Sequence, residues 1–386
     1  MKIIYYSHPF FADCDFPLVK ELQEKGIDVR CYMSIKYKFL RSNIIEFQKP
    51  CRRWGIYKAS RFADMKLYSS CIDLDRLYFI CGDISRKWMP SSWLLWAFVF
   101  IHMLLQRADV MHITWQFVGR EKILKRIPFF KKRVMTVHDP IQHSDIKGYE
   151  ANENERIDSF KWADRYMLLN SGQVVLFSKT YNIDRKRIMV SGLGAYNSIL
   201  HVNQEGMMPI WDKPYILYFG QITPHKGIEY LLEAMKEVHK VNPEVGLIIA
   251  GGGKLYFDYS PYKDLNYVKL LNYYIGVKEL VGLIRYSLFT ICPYKDATQS
   301  GVVQTSLVLE KPTIVTRVGA LPEMVKEGLY GIVVSPCSAQ SLSDAICELL
   351  NHPEKRSQMV DNIKKQWIPS MAWDNIAEKY IDLYKS

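Results

Sequence analysis

Short apolar runs alternate along the chain with stretches in which apolar residues recur every three or four positions. Residues 2–6 predict a buried strand, residues 17–25 predict a helix that ends at Gly26, and residues 28–33 predict the next strand. A strand, a helix and a strand in so short a span form a βαβ unit, which requires a parallel sheet. The chain therefore opens with an α/β domain.

The alternation continues to the end of the chain and predicts a second α/β domain. Residues 34–90 have weak periodicity and predict helices and loops, while the polar segment 203–209 predicts a linker. At 386 residues the chain is long enough for two domains that each bury a core. Further strands are predicted at 110–113, 133–138, 166–169, 188–191, 215–219, 247–250, 268–271, 288–292 and 313–316.

The most apolar stretch is Trp93 to Leu105, WLLWAFVFIHMLL. It is too short to cross a membrane. We expect a buried helix packed on a sheet, with an interfacial helix as the alternative. Near the end of the chain, Trp373, Ile376 and Tyr380 share one face of a predicted terminal helix.

The composition also predicts the cellular compartment of the protein. The hydrophobic share of 48% and the charged share of 24% are those of an ordinary globular protein. The eight cysteines show no paired or metal-binding spacing, which favours structural thiols in a reducing environment. The apolar run from Ile3 to Tyr6 is too short for a signal peptide. We therefore expect a cytoplasmic protein.

Charge is distributed unevenly between the two halves. Residues 1–200 hold 32 Lys and Arg against 20 Asp and Glu, whereas residues 201–386 hold 19 against 20. A basic half suits an anionic partner such as a bilayer, a lipid-linked diphosphate or a nucleic acid; a solvated surface without a partner is the alternative. The chain has none of the nucleic-acid-binding signatures, so we expect no nucleic-acid partner.

The stretch Asp296 to Val325 has the pattern of an anion site. Ser300 suits a helix N-cap, and Gly301 lets a ligand approach the backbone. A helix that starts directly after a strand presents free N–H groups and the positive end of its dipole. A plain strand-to-helix turn is the alternative.

Lys226 has a similar position after the strand 215–219. The segment from Gly220 to Gly227 precedes a helix, so this ammonium lies at the mouth of a strand–loop–helix unit and suits a phosphate. A solvent-exposed loop lysine is the alternative. The glycine run that begins at Gly251 follows another strand and by itself is weak evidence of a site.

In the first domain, His138 stands at the carboxyl end of a predicted strand, where open α/β sheets bind ligands, with a structural histidine at the strand end as the alternative. For His112 we expect a structural role. Two Asp-x-Asp pairs, at 13 and 15 and at 73 and 75, are expected to be surface acids and not a metal site.

Several of these segments together resemble one family. The motifs are T-Q-S-G with G-A-L-P-E-M-V after it, G-Q-I-T-P-H-K-G, and T-V-H-D. They resemble the retaining GT-B glycosyltransferases of group 1, which usually have E-x-F-G-x-x-x-x-E-A and G-R-x-x-x-x-K-G. The two family glutamates fall on Ala297 and Thr305, and the arginine falls on Gln221. The chain resembles T-Q-S-G variants of the family, with a changed donor site.

The resemblance implies two Rossmann-like domains that face each other across a cleft. It predicts an acceptor-side domain at 1–203, a nucleotide-sugar domain at 204–365 and a helix at 366–386 that crosses back. It implies catalytic roles for His138 and Lys226. The implied donor-binding residues are Gly220, Gln221, Gly251, Gln299, Ser300, Gly301, Val302 and Glu323. For Glu323, a structural acid at a helix start is the alternative.

The implied reaction is retaining transfer of a sugar from a nucleotide diphosphate sugar to an acceptor hydroxyl, without a cofactor or a metal. The acceptor would be a glycan or lipid-linked glycan in bacterial surface polysaccharide or glycolipid synthesis. An anionic membrane surface is a further expected partner, with the protein peripheral on the inner face. A nucleotide-sugar epimerase or a phosphorylase on the same fold is the alternative, and a nucleic-acid-binding module is a more distant one.

Overall fold

The structure, a computed structural model, describes residues 1–42, 44–82, 90–140, 149–202, 206–297 and 300–386, without the side chains of 149–152, 198 and 201. It divides into two compact units. The first unit comprises Met1–His201 and Met371–Ser386, and the second comprises Val202–Ser370.

The first unit is built on a sheet whose central strand opens the chain. Buried aromatic and β-branched residues make these strands apolar on both faces, as expected for a parallel sheet covered by helices. The strands of the unit are β1 (Lys2–Ser7), β2 (Asp28–Lys36), β3 (Phe39–Ser42), β4 (Ile45–Cys51), β5 (Gly55–Lys58), β6 (Leu77–Gly82), β7 (Val110–Ile113), β8 (Lys132–Val137), β9 (Arg165–Leu168) and β10 (Ile188–Val190).

Eight of these strands form the sheet, in the order β10-β9-β8-β7-β1-β2-β6-β5. All neighbours are parallel except β5, which runs antiparallel to β6, and β3 and β4 form a separate hairpin. Helices cover the two faces: α1 (Ala12–Glu24), α2 (Pro90–Leu104), α3 (Tyr149–Trp162) and α4 (Val174–Tyr181). Along β1, Ile3 and Tyr5 enter the core on one face, and Ile4 and Tyr6 enter the core on the other.

The second unit is a parallel sheet of six strands, in the order β13-β12-β11-β14-β15-β16. The chain order reverses between β11 and β14, which is the doubly wound arrangement of a Rossmann fold. The strands are β11 (Tyr215–Phe219), β12 (Gly246–Ala250), β13 (Val268–Leu271), β14 (Thr290–Cys292), β15 (Thr313–Thr316) and β16 (Gly331–Val334). The helices are α5 (Ile228–Val241), α6 (Val277–Tyr286), α7 (Gly301–Val308), α8 (Leu321–Val325), α9 (Ala339–Asn351), α10 (Pro353–Asn362) and α11 (Ile368–Ser370), with a π-helical turn at Ile363–Trp367.

The terminal helix α12 (Trp373–Lys385) belongs to the first unit. The indole Nε1 of Trp373 donates to the carbonyl oxygen of Ala195 at 2.6 Å, and the Tyr384 hydroxyl lies 2.6 Å from Nδ1 of His112. Its apolar face packs against α1 in the core below the sheet. The chain therefore leaves the first unit, forms the second, and returns to complete the first.

Three features of the first unit differ from the sequence predictions. Helix α1 begins at Ala12 and carries Pro17 inside it, because the acidic Asp13 and Asp15 favour a helix start upstream of the proline. The segment 34–90 contains strands β3 to β6, and β6 is buried on both faces and so shows no alternation.

The third difference concerns α2, which packs on the unit by only one face. Leu95, Trp96 and Val99 are buried, but Leu94 is 64% exposed and Ile101 is 52% exposed. The prediction of a buried helix is therefore wrong for its outer face. Among the described residues, no helix is both long and apolar enough to cross a membrane.

Candidate active site

The switch point of the second sheet lies between β11 and β14, at the edge where the strands end. In open α/β sheets this crevice is where ligands bind, because the loops on its two sides diverge to opposite faces. The loop after β11 carries Lys226, and the loop after β14 leads to Ser300 and α7. Both sequence motifs of the second unit therefore lie at one switch point.

Gly227 allows these two loops to touch. It has φ +63, and a Cβ there would lie 2.1 Å from the carbonyl oxygen of Pro293. Next to it, the backbone N–H of Lys295 donates to the carbonyl oxygen of His225 at 2.8 Å. Only glycine fits so close an approach in this conformation. Lys226, on the loop after β11, is thus held against the start of the loop after β14.

Tyr294 joins the two predicted residues. The Lys226 ammonium lies 3.6 Å from the centroid of the buried Tyr294 ring, a cation–π contact. On its other side, the Ser300 hydroxyl donates to the Tyr294 hydroxyl oxygen at 3.4 Å. Sequence reasoning did not identify Tyr294; its position between a strand end and the predicted helix start was the available signal.

Helix α7 begins as predicted. The Ser300 side chain accepts a hydrogen bond from the N–H of Val303 at 3.4 Å, which confirms Ser300 as the N-cap. Gly301 is exposed and Val302 is half-buried, so the N–H groups of the first turn lie beside solvent. The predicted donor residue Gln299 lies outside the described residues.

The glycine run after β12 has a structural cause. A Cβ at Gly251 would lie 1.9 Å from the carbonyl oxygen of Gly220, and one at Gly253 would lie 2.4 Å from that of Ile222. The Ile222 N–H also donates to the Gly252 carbonyl oxygen at 3.2 Å. The run allows the loop after β12 to pack directly on the loop after β11, and so positions Gly220 and Gln221.

Other predicted residues lie further along the same edge. Glu323 is exposed in the first turn of α8, after β15, and Gln221 is exposed beside Gly220. Two cations that sequence reasoning missed also follow strands here. Lys295 pairs with Glu229 at 2.9 Å, and Arg317 is exposed directly after β15.

The positions of the missing family glutamates are both buried. Ala297 is 7% exposed and Thr305 is 8% exposed, with Thr305 on α7. A carboxylate at Thr305 would be buried below the start of the helix and not displayed at its N-terminus.

His138 lies in the first unit, directly after β8. Its ring stacks on Phe11 with centroids 4.0 Å apart, and burial lowers its pKa to about 3. The imidazole is therefore neutral at pH 7. It lines a cavity of about 10 Å³, which also touches Asp15 and Tyr380.

His112 is a structural histidine, as predicted. Its Nε2 lies 2.8 Å from the Thr136 hydroxyl, its Nδ1 contacts Tyr384, and burial lowers its pKa to about 3. Asp15 differs from its prediction, because it is only 2% exposed. The Tyr5 hydroxyl donates to it at 2.6 Å, Ser7 also bonds to it, and burial raises its pKa to about 7.

A larger cavity, of about 570 Å³, opens at the switch point of the first sheet, between β1 and β7. Its size is typical of small-molecule sites. Cations and aromatic rings dominate its lining, which includes His8, Phe10, Lys36, Arg41, Trp115, Arg120 and Glu121.

Glu121 is the buried acid of this cavity. It is 4% exposed and accepts a hydrogen bond from the Val118 N–H at 3.2 Å. Burial raises its pKa to about 7, and burial lowers that of His8, 4.0 Å away, to about 4. Sequence reasoning missed Glu121 because it is a single acid inside a basic cluster, G-R-E-K-I-L-K-R.

The chain is similar in structure to solved glycosyltransferases over its whole length. It shares with them two units of parallel sheet flanked by helices. Sucrose-phosphate synthase from Thermosynechococcus elongatus has a TM-score of 0.68 at 16% identity, over 100% of this chain and 98% of that one. The Anabaena protein HepE in complex with UDP-glucose has a TM-score of 0.66 at 15% identity, over 100% of this chain and 98% of that one. At this identity the likeness shows the fold, which is GT-B.

The UDP-GlcNAc 2-epimerase from Neisseria meningitidis has the same fold, with a TM-score of 0.58 at 13% identity over the whole of both chains. Fold alone therefore does not separate transferase from epimerase.

The family model favours a transferase. Residues 209–366 match the model of glycosyl transferases group 1. An uncharacterized glycosyltransferase of Methanocaldococcus jannaschii is 24% identical over 314 residues, 73% of this chain and 76% of that protein. The alpha-D-kanosaminyltransferase of Streptomyces kanamyceticus is 25% identical over 154 residues, 39% of this chain and 40% of that protein. The match to group 1 glycosyltransferases thus lies in the second unit, Val202–Ser370.

Proposed function

We propose that the protein is a retaining glycosyltransferase that moves a sugar from a nucleotide diphosphate sugar to an acceptor hydroxyl. The observation that carries this is the convergence of Lys226 and the capped start of α7 on Tyr294, at the switch point of the second sheet. A lysine and a helix N-terminus at one crevice suit a diphosphate.

The leaving nucleoside diphosphate gains negative charge as the glycosidic bond breaks, and that charge must be stabilised. Lys226 supplies a fixed cation, and the N–H groups at Ser300, Gly301 and Val302 supply hydrogen bonds with the dipole of α7. These groups would act without a metal or an organic cofactor. Backbone groups then take over what the two family glutamates and the arginine do in relatives.

The donor class has support from the solved relatives. The Anabaena protein of the same fold has been crystallised with UDP and with UDP-glucose. For this chain we propose a nucleotide diphosphate sugar, held by Gly220, Gln221, Gly251 and the T-Q-S-G turn, with Glu323 at the rim.

The acceptor is proposed to bind in the first unit. The cavity between β1 and β7 offers Trp115 for stacking on a sugar face, and Glu121 for a hydrogen bond to a hydroxyl. His138, neutral at pH 7 because of its lowered pKa, would contact the transferred sugar by hydrogen bonding. A basic half suits a glycan or lipid-linked glycan acceptor at an anionic membrane surface, in cytoplasmic synthesis of a polysaccharide or glycolipid.

The donor site is tested by replacing Gly301. In Gly301→Val a branched side chain stands where the diphosphate approaches the first turn of α7. UDP affinity, measured by calorimetry, should fall by at least about tenfold, since a good hydrogen bond to a charged group contributes about 1.5–3 kcal/mol.

Ala339→Val is the matched control, because Ala339 also follows a serine N-cap, Ser338, at the start of α9. It should leave UDP affinity unchanged, and circular dichroism should show both variants folded. Wild-type UDP affinity in folded Gly301→Val would mean that the diphosphate does not bind at this turn.

A further inference from the structure

The outer face of α2 is an apolar surface that none of the residues described by the structure covers. Trp93, Leu94, Phe98, Ile101 and Leu105 are between 48% and 74% exposed. Their spacing places them within one arc of the helix, opposite the buried Leu95, Trp96, Val99 and Met103. We call these five exposed side chains the α2 face.

Contiguous aromatic and aliphatic exposure of this kind marks an interaction site, whereas single exposed apolar residues are ordinary. The helix itself, Pro90–Leu104, contains no Asp, Glu, Lys or Arg. Its length of 15 residues corresponds to about 22 Å, shorter than the ~30 Å of a bilayer core. The α2 face can therefore lie in a bilayer interface but cannot form a span.

Charge beside the α2 face selects among possible partners. The 3₁₀ segment Gly119–Arg126 packs along α2 and carries four cations, while its only acid, Glu121, is buried. Two of the cations pair with acids of α3, Lys122 with Glu155 at 3.5 Å and Lys125 with Asp158 at 2.5 Å. The guanidinium of Arg120 lies 4.3 Å above the Trp93 ring. At the other end of the helix, Arg107 is exposed.

An apolar strip with cations along its edge complements anionic lipid, because acyl chains take the rings and headgroups take the charges. A symmetric contact with a second copy of the chain would place this patch on itself and bring like charges together. The arrangement thus favours a bilayer over a dimer.

Arg120 also connects the α2 face to the cavity of the first unit. It lines that cavity together with Trp115 and Glu121, and it stacks on Trp93. A bilayer on the α2 face would therefore lie beside the entrance of the proposed acceptor site.

We infer that the α2 face docks on an anionic bilayer, with its apolar side chains inserted among the acyl chains and the Gly119–Arg126 segment against the headgroups. This inference deepens the membrane association proposed above by naming the element responsible, and it does not depend on the identity of the donor. An interfacial helix was the alternative left open by the sequence.

The test is co-sedimentation of the full chain with vesicles of phosphatidylcholine containing phosphatidylglycerol, without nucleotide. The triple variant Leu94→Glu/Phe98→Glu/Ile101→Glu should bind at least about tenfold more weakly than the wild type, because the carboxylates resist transfer from water. The control Met208→Glu/Val241→Glu changes exposed apolar residues of the second unit and should bind like the wild type.

The salt dependence of vesicle binding distinguishes insertion of apolar side chains from electrostatic attraction to the headgroups. Surface charges are screened beyond ~8 Å at physiological ionic strength. Wild-type binding should therefore weaken but persist as salt rises, while residual binding of the triple variant disappears. With brominated acyl chains, tryptophan emission of the wild type should be quenched, and Trp93→Phe should lose part of that quenching.

Two results would overturn the inference. In one, the triple variant, folded by circular dichroism, binds vesicles as the wild type does at every salt concentration. In the other, sedimentation velocity shows a wild-type dimer that the triple variant abolishes, which assigns the α2 face to a second copy. Neither result affects UDP binding by the second unit, so the proposed donor site is tested separately.

Discussion

The two sheets have closely related topologies around their central strands, but their carboxyl edges carry different chemistry. At the switch point of the second sheet, glycines at 220, 227 and 251 bring backbones together around Lys226. At that of the first sheet, His8 and Phe10 occupy the loop after β1, and Glu121 is buried nearby.

This difference suits the two edges to different classes of ligand. Exposed N–H groups and a lysine suit an anion, whose charge they stabilise. Aromatic rings and buried carboxyls of raised pKa suit uncharged hydroxyl groups, because a protonated carboxyl can both donate and accept. Topology provides the crevice in both units, and the loop residues decide its ligand.

Among the changes that test this difference between the two sheet edges, Lys226→Ala is expected to have the largest effect. Removing one preorganised charge-stabilising group costs on the order of 10²–10³ in turnover. Stability should change little, because Lys226 is on a loop and only half-buried. Turnover with a nucleotide sugar donor is the measurement, with Lys236→Ala, a half-buried lysine on α5, as the control. Turnover close to that of the wild type would remove Lys226 from the mechanism.

The second effect concerns the buried carboxyls of the first unit. Burial raises the pKa of Asp15 from 3.8, and that of Glu121 from 4.5, to about 7. Between these limits the folded chain binds more protons than the unfolded chain, so the free energy of unfolding falls as the pH rises. Each carboxyl accounts for a fall on the order of 3 kcal/mol in the free energy of unfolding across this pH window.

Asp15→Asn/Glu121→Gln should therefore flatten the pH dependence of unfolding relative to the wild type between pH 4 and about 7, the window set by the cited pKa values. Denaturant unfolding at several pH values measures the difference between the two pH dependences. The buried histidines, whose pKa values are lowered, contribute equally to both proteins, so their effect cancels. Asp75→Asn is the control, since Asp75 is exposed and its pKa is lowered by Ser60 and Lys58. A slope identical to the wild type would mean that these carboxyls are ionised in the folded protein.

A smaller effect separates the structural glycines from the ligand-binding ones. Gly251→Ala places a Cβ 1.9 Å from the Gly220 carbonyl oxygen and should destabilise the second unit by about 1–3 kcal/mol. Gly328→Ala also has positive φ, but nothing lies within 4 Å of its added Cβ, so it should cost less. Thermal unfolding compares the two. If Gly251→Ala is as stable as the wild type and loses only UDP affinity, the glycine serves the ligand.

The architecture of the second unit could be predicted because its signals are local. Buried strands such as β11 and β12 are continuous apolar runs, and the amphipathic spacing of α5 follows from its sequence. The Ser300 cap is equally local. In the first unit, β6 was missed because aromatic residues buried on both faces leave no period of two.

The site could be predicted only in part. Lys226 and Ser300 follow strands, but their meeting through Tyr294 depends on the order of β11 and β14 in the sheet. Asp15 was predicted to be a surface acid and Glu121 was missed, because burial is a property of the fold. The roles assigned to His138, Glu323 and the donor residues stay predictions.

The return of α12 to the first unit has a consequence for how the protein is made. Residues 1–201 are synthesised first, yet Tyr384, which contacts His112, and Trp373, which donates to Ala195, are synthesised only after the second unit. The second unit is contiguous at Val202–Ser370 and has all its strands before that moment. Nascent chains would therefore hold a finished second unit and an incomplete first unit, in which His112 lacks its contact with Tyr384 until α12 is made.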